Sequence, residues 1–186
     1  MKVLALCGDT CYTTSTVHPK VQLRETHVHM DSQITLEPVG AQDTKLKNLL
    51  DHEDLISVTA TDIGHRNYEG WYWMLVQDSS TNKTAGYAAI EPYSHNSVRI
   101  HGGLLKEFRG SGFALKATAN LIQALEDTPG LKVVLAEIPD FGINKGPEEL
   151  VKALGFTLVG KIPLVMRHLK EDKDLVVYYK LLKTND

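Results

Sequence analysis

Residues 104–114 read Leu104-Leu105-Lys106-Glu107-Phe108-Arg109-Gly110-Ser111-Gly112-Phe113-Ala114, and they lie where a strand gives way to the strongest helical pattern in the chain. In the helix, Gly112 to Glu126, one stripe carries Ala114, Ala117, Leu121, Ile122 and Leu125, and Pro129-Gly130 ends it. In the strand, Val98 to Leu105, Gly102-Gly103 is a pair that predicts a bulge. Gly110 and Gly112 allow a tight turn and close approach of a ligand to the backbone. The first turn of the helix then presents N–H groups with no partner inside the helix. Those donors, the helix dipole and the Arg109 guanidinium together predict a site for a phosphate or pyrophosphate. Two other glycine motifs fail: Leu115 stands where a dinucleotide fingerprint needs its third glycine, and Ser111-Gly112-Phe113 is not the Gly-Lys-Ser/Thr of a Walker loop.

Working outward, Ile34 to Leu36 reads as a short strand, and Gln42 to Leu55 as an amphipathic helix on Leu46, Leu49 and Leu50. Trp71 to Val76 and Thr84 to Ile90 form a hairpin around the polar turn Asp78 to Lys83. Downstream, Leu131 to Glu137 is nearly continuous apolar strand, as expected of a central one covered on both faces. Pro147 to Leu154 is a short helix with Pro in its first turn and Gly155 past its end. Leu158 to Met166 and Leu175 to Leu182 close the chain as strands. The order β-α-β-β-β-α-β-α-β-β predicts an α/β (α+β) layered domain on a mixed sheet.

Composition narrows the function classes. A chain of 186 residues with 42% hydrophobic and 23% charged residues is sized and composed for one globular domain. Its net charge of −3 gives no global attraction to nucleic acid or anionic lipid, so nucleic acid is disfavoured as a partner. Two cysteines, Cys7 and Cys11, exclude a disulfide scaffold. With His27 and His29 they match no common zinc spacing, so no metal is expected. The early apolar run, Val3 to Cys7, is too short for a signal core or a membrane span, and the expected location is cytoplasmic. Residues 1–31 show no clear period and read as an N-terminal extension; residues 32–186 read as the folded domain.

Arg109-x-x-Gly112-x-Ala114 after a strand resembles the R/Q-x-x-G-x-G/A motif of the GNAT superfamily of N-acetyltransferases. Asn144-Lys145-Gly146-Pro147-Glu148-Glu149-Leu150-Val151-Lys152-Ala153-Leu154-Gly155-Phe156 is similar to that family's second signature, N-x-x-A-x-x-L-Y-x-x-x-G-F, with Pro147 in place of Ala and Val151 in place of Tyr. One helix and one strand separate the two motifs, and the similarity covers roughly Gln33 to Leu182. The resemblance implies a mixed, mostly antiparallel central sheet flanked by helices, with splayed fourth and fifth strands. It implies acetyl-CoA as co-substrate and direct attack by a primary amine of a small molecule or protein in a ternary complex. By the same resemblance, the backbone of Leu104 and Leu105 would pair the pantetheine arm, and Lys106 would lie among the cofactor-binding residues. Arg109, Gly110, Ser111, Gly112, Phe113 and Ala114 would hold the pyrophosphate, and Asn144 would hydrogen-bond the cofactor. The expected partners are acetyl-CoA and an amine acceptor, and a homodimer is allowed.

Amide formation needs a neutral amine, whose ordinary pKa is about 10.4, so the site needs a base. Glu137, at the end of an apolar strand, and His101, on the glycine-bearing strand, are the two chosen catalytic candidates; Glu91 and His95 lie nearby. Val151 has no proton to give the leaving thiolate, which leaves a second reading open: an acyl-CoA-binding protein on the same fold without catalysis. Trp71 and Trp73 share one strand face and read as core. Asp51, Glu53 and Asp54 read as a solvated helix end close to where an acceptor would enter.

Overall fold

The computed structural model describes residues 33–55, 70–140, 142, 145–168 and 171–183. The N-terminal extension with its Cys and His residues, most of the loop after the first helix, and Asn144 lie outside the described residues. The elements are β1 (Ile34–Val39), α1 (Thr44–Leu50), β2 (Tyr72–Asp78), β3 (Lys83–Ser94), β4 (Ser97–Leu104), α2 (Phe113–Glu126), β5 (Val133–Pro139), α3 (Gly146–Ala153), β6 (Thr157–His168) and β7 (Glu171–Leu181). This is the order expected from the sequence. The seven strands make one sheet in the order β1-β2-β3-β4-β5-β7-β6. Among the described residues only β4 and β5 run parallel; the other neighbouring pairs are antiparallel.

Strand alternation sorts the side chains onto two faces. Met74, Ile90, Val98, Val134 and Tyr178 point to one face, where α2 lays down Ala117, Leu121, Ile122 and Leu125 and α3 adds Val151. Leu121 and Leu125 are almost wholly removed from water, and each contributes about 2 kcal/mol by its buried area. The opposite face carries Trp73, Leu75, Tyr87 and Ala89 beneath Leu46 and Leu49 of α1.

Two expectations are corrected. The first helix ends at Leu50 and not at Leu55. The Asp43 carboxylate caps its start by accepting from the Lys45 and Leu46 amides, and its last turn closes when Asp51 N donates to Lys47 O. A second helical stretch then begins at Glu53, with His52 Nδ1 accepting from Asp54 N at 3.2 Å as a local side-chain cap. The bulge expected at Gly102-Gly103 is absent: the ladder with β3 runs in register through Ala88↔Gly102, Tyr87↔Gly103 and Gly86↔Leu104. The register shifts involve β3 instead, between Pro92 and Ser94 against β4 and beside Val76/Gln77 against β2. Glycine is required for closeness. A Cβ on Gly86 would stand 2.1 Å from Gly103 O, and one on Gly102 would stand 3.0 Å from Tyr87 O.

Candidate active site

β4 and β5 pair only at Ser97↔Val133, Val98↔Val134 and Arg99↔Leu135. Beyond Arg99 and Leu135 they separate, leaving a fork whose prongs are residues 100–104 and 136–139. Asn96 O accepts from Val133 N, and Leu105 N donates to Ala85 O on β3. Backbone groups alternate sides along a strand, so even-numbered residues of β4 turn theirs toward β5 and odd-numbered ones toward β3. Gly102 and Leu104 therefore aim backbone groups into the fork. An extended chain entering there meets a sheet edge on which it can pair like an added strand.

At the tip of the β4 prong the chain passes through a 3₁₀ turn, Lys106–Phe108, and then two left-handed glycines, Gly110 at φ +77° and Gly112 at φ +78°. Gly112 is the N-cap of α2 and supplies no side-chain cap; the helix's own bonding begins with Lys116 N donating to Gly112 O. The amides of Phe113, Ala114 and Leu115 thus have no acceptor within the helix, the arrangement that attracts an anion. Ser111 Oγ donates back to Phe108 O at 3.1 Å and braces the turn. Arg109, read as the anion's fixed charge, is tied to two carbonyls: Nε donates to Leu104 O at 2.9 Å and Nη2 to Asp54 O at 2.6 Å. Lys106 N donates to the Asp54 carboxylate at 2.8 Å. Asp54 is therefore a strut between the end of α1 and the glycine turn, not a solvated charge. A groove of about 560 Å³ follows this seam, lined by His52, Glu53, Asp54, Leu105, Lys106 and Glu107.

The two catalytic candidates flank the fork on the α1 face of the sheet, and a third strand joins them. Arg99 on β4 places Nη2 2.7 Å from Glu137 Oε1 on β5 and donates from Nη1 to Glu91 Oε2 on β3 at 2.9 Å. His101 Nε2 shares that same Glu91 oxygen at 2.9 Å. The His101 ring stacks on Trp71 with centroids 4.5 Å apart, and Trp71 stacks on the buried Trp73 at 5.5 Å. Trp73 is core, as expected, whereas Trp71 is half-buried and serves as the platform for His101. Burial pushes the Glu91 carboxyl up; the His101 hydrogen bond and the Arg99 charge outweigh that, leaving it below its usual range. Arg99 packs over the Tyr93 ring at 4.8 Å. Its Nε is buried with no partner among the described residues.

Arg99 was missed in the sequence. Its signal was available: it is a charged residue at an inward-facing odd position of β4, between Val98 and Ile100. Val151, where the resembled family carries Tyr, lies in the α2-side core at 5% exposure. Among the described residues no group of three His, Cys, Asp or Glu is arranged to hold a metal, and no helix is long and apolar enough to cross a membrane.

No protein-family model matches the chain, and no curated protein does. Solved structures do. A spermidine N-acetyltransferase from Vibrio cholerae, in complex with CoA and spermine, superposes with TM-score 0.65 over 81% of this chain and 96% of its own at 15% identity. The ribosomal L7/L12 α-N-protein acetyltransferase RimL, in complex with CoA, gives TM-score 0.65 over 82% of this chain and 96% of its own at 12% identity. Its apo form, in a second crystal form, covers 84% and 98% at 14% identity. With the forked β4 and β5 and the glycine turn at the head of α2, these superpositions give the chain the fold of the GNAT N-acetyltransferases.

Proposed function

We propose that the chain is an acetyl-CoA-dependent N-acetyltransferase whose domain spans residues 32–186, acting on a primary amine by direct attack in a ternary complex. The observation that carries this reading is the β4–β5 fork ending in the uncapped N-terminus of α2. The backbone of Gly102 and Leu104 would pair the pantetheine arm, and one N–H on that edge would bond the thioester oxygen as negative charge develops there. The amides of Phe113 and Ala114 would take the diphosphate, with Arg109, Gly110, Ser111 and Gly112 shaping the turn. Leu105 and Lys106 would support it through their bonds to Ala85 and Asp54.

A specific observation favours a second reading. Val151 is buried in the core and carries no acid to protonate the leaving thiolate, so a protein that holds acyl-CoA without turning it over fits the same fold. Thiol release from acetyl-CoA with a panel of amines, spermidine included, separates the two. Transfer predicts amine-dependent release; cofactor binding with no release for any amine gives the second reading.

A further inference from the structure

We propose that Asp54 is a positioning residue for the cofactor: from the stretch after α1 it holds the glycine turn in place, so that the diphosphate meets a turn already set. This rests on the acetyl-CoA reading above. The turn is hard to order by itself. Gly110 and Gly112 both stand in the left-handed region, at φ +77° and +78°, and glycine loses more conformational freedom on ordering than any other residue. The bonds made locally are Phe108 N to Leu105 O, Arg109 N to Lys106 O, Ser111 Oγ to Phe108 O and Arg109 Nε to Leu104 O. They fix the shape of the turn but not its place on the molecule. Among the described residues, the hydrogen bonds that tie residues 106–111 to a distant part of the chain all end on Asp54. Arg109 Nη2 donates to its carbonyl at 2.6 Å, and Lys106 N donates to its carboxylate at 2.8 Å.

Asp54 is itself fixed from behind. Its amide donates to His52 Nδ1 at 3.2 Å, and the next residue, Leu55, is fully buried in the cluster with Leu46, Leu49 and Trp73. Leu105, just ahead of the turn, packs against that same cluster. The strut therefore joins two segments that share a footing in the core. Charge makes the assignment sharp. A carboxylate near a diphosphate repels it, so through charge alone Asp54 would weaken binding, whereas by holding the turn it strengthens binding. The two roles predict opposite signs when the side chain is removed.

The test is calorimetric titration of the full chain with coenzyme A, with thermal melting of each variant beside it. Asp54→Ala is expected to raise Kd about fivefold, because the cofactor must then order the turn on arrival. Asp54→Asn keeps an oxygen that accepts from Lys106 N, and is expected to bind within about twofold of wild type. Lys106→Pro deletes the same bond from the other side. It removes the N–H at a position suited to proline, the first residue of the 3₁₀ turn, after Leu105 at φ −57° and ψ 148°. Lys106→Ala loses the same side-chain charge but keeps the N–H, and Lys106→Pro should bind about fivefold more weakly than it does. Adding Asp54→Ala to Lys106→Pro should weaken binding no further, since both delete one bond. Where Asp54→Ala folds poorly, the two Lys106 variants carry the test. Asp54→Ala and Asp54→Asn binding alike overturns the proposal. So does a melting temperature that falls in Asp54→Ala while its affinity stays at the wild-type value, or Lys106→Pro matching Lys106→Ala. Absence of coenzyme A binding by the wild type overturns the acetyl-CoA reading beneath it, and the proposal with it.

Discussion

β4 has two edges, and they behave differently. Toward β3 it is paired along its whole length, so closely that a Cβ on Gly86 would stand 2.1 Å from Gly103 O and one on Gly102 3.0 Å from Tyr87 O. Toward β5 it is paired for three residues and then released. Intrinsic strand preference cannot explain the contrast, because both edges belong to the same residues. What differs is what faces each edge: a glycine-lined backbone on one side, and on the other a strand held by three ladder pairs and the Arg99–Glu137 ion pair. A gap inside a sheet is made here by locking one edge of a strand firmly enough that the other can stay open.

Removing the clamp at the fork should have the largest effect. Arg99→Met strands two largely buried carboxylates and is expected to destabilise the fold by about 4 kcal/mol, the usual scale for breaking a buried ion pair from one side. Denaturant unfolding measures it, and an unchanged midpoint would show that the ladder pairs alone hold the fork. Next comes the tight edge. Gly86→Ala sets a methyl against Gly103 O and should cost about 2 kcal/mol as the strands part. Full stability in that variant would contradict the close approach.

A smaller effect is expected with pH. The Glu91 carboxyl titrates below its usual 4.5 in the folded protein, so its contribution to stability is complete above that value and fades as pH falls through it toward the folded pKa. The melting temperature of Glu91→Gln should therefore fall less steeply than that of wild type between about pH 6 and 3. The smallest effect is expected from a look-alike elsewhere. Lys161 stands 2.7 Å from Asp140 and 2.8 Å from Asp174, the same acid–base–acid pattern as Glu91–Arg99–Glu137. Those contacts hold Asp140 well below and Lys161 well above their usual ranges, yet water reaches all three groups. Lys161→Met should leave the unfolding midpoint within error, as exposed ion pairs contribute little.

Features of the site that depend on neighbours in the chain were legible in the sequence. Two glycines ahead of an apolar stripe specify a turn and an uncapped helix start whatever the rest of the protein does, and the strand–helix order followed from period and punctuation. Features that depend on register were not legible. Gly102-Gly103 looks like a bulge locally, and only the register, with Ala88 and Tyr87 opposite and Gly86 next along β3, reveals that it permits close approach. The ion pair of Glu137 with Arg99 crosses from β5 to β4, and Arg109 reaches an Asp54 carbonyl 55 positions away. Glu137 and His101 each stand out by their own chemistry, but the chain of contacts that joins them, through Arg99 and Glu91, exists only because the sheet sets three strands side by side.

Coenzyme A is expected to enter the fork with its diphosphate against the amides at the head of α2. Calorimetric titration of the full chain with coenzyme A tests it directly. Saturable one-to-one binding is expected, weakened at least tenfold, about 1.4 kcal/mol, in Arg109→Ala because the turn loses its strut to Leu104 and Asp54. No heat on titration, or an Arg109→Ala curve that overlays the wild type, would contradict it.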